Sequence, residues 1–236
     1  IREEDKEVLY LLLGNIYPQY NETKIGISTQ LAIKAISKAT GIEAKKVLNE
    51  WKKKGDLGEV AELFIKDKRQ TSLSHQTIDA KKGFENLRKL PVLEGKGTIE
   101  KKLFLITELL TFASPLEAKY LVRTLLEDLR IGVLESTIRD AINSAFFDSS
   151  KESAKIIQDA IDKTNDISLV FEIARKGRIN LLSKVDLQVG KPIKAMLAQK
   201  VDTIEEGFKA LGAPCAIEFK YDGFRLLVHK DKNGVK

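Results

Sequence analysis

The sequence predicts a mainly α protein, a multi-helix body followed by the beginning of a smaller α+β region with antiparallel strands. Three observations carry this. Apolar residues recur at helical spacing from Val8 to the 170s, with capping residues between the runs. Val185 to Pro192 then brings the helix breakers Gly190 and Pro192. Beyond it, Ala216 to His229 alternates apolar and polar residues on both sides of Asp222-Gly223.

The chain has 236 residues, 43% hydrophobic and 31% charged, enough for one large or two modest units with a real core. No run of about 18 apolar residues is present, so no membrane span is expected. No secretory signal pattern opens the chain, which fits a cytoplasmic protein, or a nuclear one in a eukaryote. Ile1 in place of methionine points to absent opening residues. One cysteine, Cys215, and two histidines, His75 and His229, give no internal disulfide and argue against a structural zinc site. The net charge of +6 permits nucleic-acid binding without requiring it.

In order, Val8, Leu9, Leu12 and Leu13 form an apolar face stopped by Gly14. Ser28 caps a helix carrying Leu31, Ala32, Ala35, Ile36 and Ala39, closed by Gly41, and the next runs from about Glu43 to Lys54. Gly55-Asp56-Leu57-Gly58 turns into a helix over 59–65, and another spans about 99–112. Ser114-Pro115-Leu116-Glu117 is a capping box with proline at the first helical position. Its apolar spacing continues through Leu129 to Gly132. Ser136 or Thr137 caps a helix bearing Ile138, Ala141, Ile142 and Ala145, and helices over about 152–163 and 167–176 follow. After a connector come a short helix over about 203–211, a hairpin turning at Asp222-Gly223, and a turn at Asn233-Gly234 to a third strand.

The hairpin concentrates the chemistry. With Asp222-Gly223 as the turn, Tyr221 pairs with Phe224, Lys220 with Arg225, Phe219 with Leu226 and Glu218 with Leu227. Ile217, Phe219 and Tyr221 share one face, Glu218 and Lys220 the other. Two cations opposite one another favour the neutral amine. A free lysine, with a pKa of about 10.4, is nucleophilic in about one molecule per thousand near neutral pH, a handicap of about 4 kcal/mol. Lowering that pKa removes most of the handicap, and the same two cations would hold a polyphosphate. The local pattern therefore reads either as a lysine nucleophile for a phosphorylated substrate or as an exposed hairpin whose charges face water.

Three basic, glycine-bearing stretches lie in the helical part. Gly95, Lys96, Gly97 and Thr98 precede a helix, where free backbone N–H groups and the lysine could receive a phosphate, or form a plain loop and cap. Arg130 and Gly132 sit between two helices, and Arg123, seven residues earlier, lies two turns away on the same face if the helix continues. Both arginines would then reach one DNA backbone. Arg175-Lys176-Gly177-Arg178 reads as a solvated helix end.

Glu218-Phe219-Lys220-Tyr221-Asp222-Gly223-Phe224-Arg225 resembles the nucleotidyl-lysine motif of the covalent nucleotidyltransferases, which include ATP- and NAD-dependent DNA ligases, RNA ligases and capping enzymes. The upstream sequence chooses among them. Gly55 to Glu59, Gly95 to Thr98, Ser114 to Leu121 and Leu129 to Val133 resemble the helical DNA-binding domain of archaeal and eukaryotic ATP-dependent DNA ligases, and Lys191 to Gln199 their passage into the adenylation domain. The likeness covers nearly the whole chain in the family's order. It lacks the family's later nucleotide-pocket motifs and its oligonucleotide-binding-fold domain.

The resemblance implies a helical DNA-binding domain over 1–180, a linker over 181–194 and the N-terminal part of an adenylation domain over 195–236. It implies ATP-dependent nick sealing in replication, repair and recombination, with ATP and Mg²⁺ as cofactors. Lys220 would carry the adenylate, Glu218 would meet the adenine and Arg225 the ribose or phosphate side. Gly95, Lys96, Gly97, Thr98, Arg123, Arg130 and Gly132 would face the DNA. The partners implied are nicked duplex DNA and a replication sliding clamp, no membrane is involved, and a monomer is expected. The alternative is a non-catalytic helical duplex-binding module carrying an incomplete nucleotidyltransferase hairpin.

Overall fold

Ser28, Asp56, Ser114, Ser150, Asp166 and Thr203 each begin a helix by accepting a backbone N–H two or three residues onward. These bonds occupy amides that the first helical turn leaves without partners. The computed structural model describes residues 6–68, 80–195, 200–223, 226–232 and 234–235.

The helices in order are α1 (Val8–Leu12), α2 (Thr29–Thr40), α3 (Ala44–Lys54), α4 (Leu57–Lys66), α5 (Ala80–Val92), α6 (Thr98–Phe112), α7 (Pro115–Leu125), α8 (Glu135–Phe146), α9 (Lys151–Thr164), α10 (Ile167–Ala174), α11 (Ile179–Ser183) and α12 (Ile204–Leu211). One antiparallel ladder, β1 (Lys230–Asp231) with β2 (Gly234–Val235), pairs Lys230 with Val235 and Asp231 with Gly234. Mainly α with a small antiparallel element is the class the sequence predicts.

Two apolar cores form. Ile33, Ile36, Val60, Phe64, Leu87, Leu90, Ile106, Leu110, Val122 and Leu125 belong to the first, built by α2 to α7. Ile138, Ile142, Ile157, Ile161, Val170 and Leu182 belong to the second, built by α8 to α11. α1 joins them. Leu9 and Tyr10 enter the second core, and Leu11 packs against the first. The Tyr10 hydroxyl donates to Asp166 Oδ1 at 2.6 Å, tying α1 to the cap of α10. Burial first, then the neighbouring carboxylate, pushes the Tyr10 phenol well above its usual range.

Several expectations shift. α7 stops at Leu125 rather than running to Gly132. Glu127 takes a left-handed φ of 56°, its N–H bonds Thr124 O at 3.0 Å, and the Asp128 N–H bonds Arg123 O at 2.9 Å. This pair of bonds closes a helix end, here around glutamate where glycine is usual. α8 begins at Glu135 with Leu134 as its cap, so Ser136 and Thr137 lie inside the first turn. α5 is a helix that the apolar spacing does not announce, although Leu87 and Leu90 are fully buried. α11 straddles residue 180, and its Leu182 is a core residue.

The largest correction concerns the hairpin. Described residues 216–223 and 226–229 form no ladder, and the ladder that does form pairs 230–231 with 234–235. Phe224, Arg225, Asn233 and Met196 to Gln199 lie outside the described residues. Ile217, Phe219 and Leu226 are 81%, 85% and 82% exposed. With neither face covered, two strands bury too little apolar surface to hold together.

Candidate functional site

Lys220 lies on an extended, exposed stretch, with Glu218 exposed beside it. The Phe219 and Tyr221 rings lie 6.5 Å apart, as residues on one face of an extended chain do. Glu218 and Lys220 alternate with these two residues along the chain, the pattern that puts such residues on the opposite face of an extended strand. Among the described residues neither takes part in a hydrogen bond or ion pair. The Lys220–Arg225 pairing falls outside the described residues. The stretch is tethered further on, where the Gly190 N–H donates to His229 Nδ1 at 3.2 Å.

In the helical part, Gly95 and Gly97 adopt φ of 83° and 77°, a region open to glycine at little cost. Thr98 closes the loop by donating its hydroxyl to Gly95 O at 2.6 Å. Gly95, Lys96 and Gly97 are exposed, and Gly97 caps α6 without a side chain, so the first-turn amides have no side-chain partner. This is the loop geometry the sequence suggested.

Arg123 and Arg130 meet, but not as neighbours along one helix. Both converge on Asp56. Arg123 places Nη2 2.5 Å and Nε 3.1 Å from Asp56 Oδ2, with side chains 11% and 8% exposed. The same carboxylate accepts the Gly58 and Glu59 N–H groups at 2.8 and 3.2 Å. Burial alone would raise the pKa of Asp56; the Arg123 hydrogen bond and these amides outweigh it, so its acidity is strengthened. Arg123 is thereby held in the α4–α7 seam, with little of its side chain left to solvent.

Arg130 is 48% exposed, donates to Asp128 Oδ2 at 2.7 Å, and places Nη1 3.6 Å from Asp56. It lines a cavity of about 480 Å³ together with Ser28 and Thr29 at the start of α2. Gly132, φ 69°, is exposed beside it. Among the described residues no hydrogen bond or ion pair joins the Gly95–Thr98 loop to this node.

Asp56, absent from the sequence-derived candidates, organises the node. Asp56-Leu57-Gly58-Glu59 has the cap spacing that could have flagged it. Gly58 matters as much. A Cβ there would meet Lys119 O at 2.7 Å and Arg123 Cγ at 2.8 Å, so α4 and α7 approach closely only because the side chain is missing.

Residues 1–143 match the family described as "DNA ligase N terminus", and residues 195–236 match "ATP dependent DNA ligase domain". The chain belongs to the ATP-dependent DNA ligase family. Proteins named DNA ligase from Thermococcus onnurineus, Nanoarchaeum equitans and Methanocaldococcus jannaschii are 38%, 40% and 39% identical to it over 228, 230 and 234 residues. Those alignments cover 97%, 98% and 99% of this chain and 40% of each relative. The chain thus spans about 40% of the length of these ligases. The first ligase match lies on the helical body, and the second contains Lys220.

Among the described residues no group of three or more His, Cys, Asp or Glu could cage a metal ion. Nor is any helix among them long and apolar enough to cross a membrane.

Proposed function

We propose that the protein seals nicks in duplex DNA with ATP, through an adenylate carried on Lys220. The observation that carries this reading is Lys220-Tyr221-Asp222-Gly223 inside the stretch matching the ATP-dependent ligase domain. The neutral Lys220 amine attacks the α-phosphorus of ATP. A P–N bond forms, the bond to the pyrophosphate oxygen breaks, and the amine's proton leaves to solvent. The 5′-phosphate oxygen of the nick then bonds to that phosphorus as the P–N bond breaks, and the departing lysine nitrogen takes up a proton from solvent. The 3′-hydroxyl finally attacks the 5′-phosphorus and expels AMP, closing the strand. Glu218, two residues before Lys220 in the alternating stretch, would accept from the adenine, and Arg225 would hold the ribose or phosphate side. Mg²⁺ would arrive with the nucleotide phosphates, the usual habit of that ion.

The helical body would grip duplex DNA by its backbone, since nick sealing must tolerate any sequence. Gly95 to Thr98, Arg130 and Gly132 would make those contacts, with Arg123 acting indirectly through Asp56. A clamp partner and a monomeric state remain part of this proposal. The exposed, unpaired strand segment favours a second reading for the chain by itself, a duplex-binding module without self-adenylation.

The test is intact mass after incubation with ATP and Mg²⁺. Full-length protein gains an AMP adduct that Lys220→Ala abolishes while nick binding by anisotropy persists. An adduct surviving on Lys220→Ala would reject the assignment. Flat anisotropy of the helical body at low salt would reject the DNA grip.

A further inference from the structure

The connector leading to the Lys220 segment is strapped onto the helical body. Lys163 Nζ donates to Val185 O at 3.0 Å, and Lys191 Nζ lies 5.1 Å from the centre of the Tyr20 ring. The Lys194 N–H donates to Asp162 O at 3.0 Å, and Lys194 Nζ donates to Glu135 Oε1. Glu135 is the anchor with the most at stake. Its side chain is 12% exposed against 40% for Lys194, and its Oε2 is buried without a hydrogen-bond partner. Without Lys194 this largely buried carboxylate would lose the cation that pairs with it among the described residues, an arrangement proteins avoid. Glu135 also opens α8, three residues beyond Gly132, so the strap is fastened beside the loop assigned to DNA.

We propose that Glu135 is a positioning residue for nick sealing. By holding Lys194 against α8, it fixes where the segment bearing Lys220 leaves the helical body. This inference rests on the ligase reading. A strapped connector keeps the adenylated lysine near a nick gripped by the same body, because a shorter free tether raises effective concentration. Self-adenylation needs ATP and no DNA, so it does not depend on the strap.

The test uses full-length ligase. Lys194 is 40% exposed, so solvent screens the pair and holds its effect on an equilibrium to about fivefold. Glu135→Lys should therefore raise KM for nicked duplex about fivefold, with the rate of self-adenylation unchanged. The exchanged pair Glu135→Lys with Lys194→Glu should return KM to within about twofold of the parent. Hydrogen exchange at the Lys194 amide should accelerate in the single variant and recover in the double one. An unchanged KM in Glu135→Lys would overturn the proposal, as would an exchanged pair that fails to recover. Should the unmodified protein never form the AMP adduct, the ligase reading itself falls and this inference with it.

Discussion

Arg123 and Asp56 form a buried ion pair across the α4–α7 seam, with two nitrogens of one guanidinium on a single carboxylate oxygen. Removing the arginine leaves Asp56 buried, with only two amides and the edge of Arg130 for company. Arg123→Met should cost about 3 kcal/mol, the range seen when one partner of a buried pair is deleted. Arg123→Lys should recover part of it, since lysine supplies charge without the fork. Urea denaturation followed by circular dichroism measures both; equal midpoints for all three proteins would contradict the finding.

Gly58 gives a second stability test on the same seam. Its Cβ would press on the Lys119 backbone oxygen, which cannot swing aside as a flexible side chain can. Gly58→Ala should lose about 1–3 kcal/mol, as overpacked interiors do. An alanine in an exposed helix would ordinarily gain stability over glycine. The sign of the change therefore separates close packing from mere backbone entropy.

Asp148 supplies a pH signature. The Ser153 hydroxyl donates to it at 2.6 Å and the Ser150 N–H at 3.0 Å, and these bonds hold its pKa down at about 2. The folded value lies below the unfolded value of about 3.9, so its contribution is fully present above about pH 4. It is lost as pH falls toward 2. Asp148→Asn should flatten the dependence of the melting temperature on pH across that window and leave neutral pH nearly unaffected. A parallel pH profile for the two proteins would exclude this contribution.

The helical body was legible because capping chemistry and 3.6-residue spacing are local. Ser28, Ser114 and the 167–174 region declare themselves within one or two turns. α5 escaped because Gly83 and Pro91 disguise a pattern whose Leu87 and Leu90 are nonetheless buried. The end of α7 escaped because a closing bond pattern around Glu127 carries no glycine to announce it. The hairpin misled for a different reason. Alternation and Asp-Gly state which residues would share a face, and Phe219 and Tyr221 do, but pairing also needs something to cover Ile217 and Leu226. Long-range partners were the least visible. Nothing near Arg123 in sequence points to Asp56, 67 residues away, or near Lys194 to Glu135, 59 away.

The DNA-facing assignments make a quantitative prediction about salt. Each phosphate neutralised on duplex DNA contributes about 0.9 to the slope of log affinity against log salt. Lys96 is exposed on its glycine loop, and Arg130 keeps nearly half of its side chain in solvent despite its bond to Asp128. Lys96→Ala and Arg130→Ala should each lower the slope for nicked duplex by about 0.9, and the double variant by about 1.8, with little change in sequence preference. Arg123 serves as the contrast, because Asp56 already neutralises it. Arg123→Met should weaken the fold while leaving the slope within about 0.3 of the parent, well short of one lost phosphate contact. Fluorescence anisotropy titrations from 50 to 300 mM salt decide the matter. A slope that drops for Arg123→Met but not for Lys96→Ala would invert the assignment, placing the seam arginine on the DNA and the glycine loop away from it.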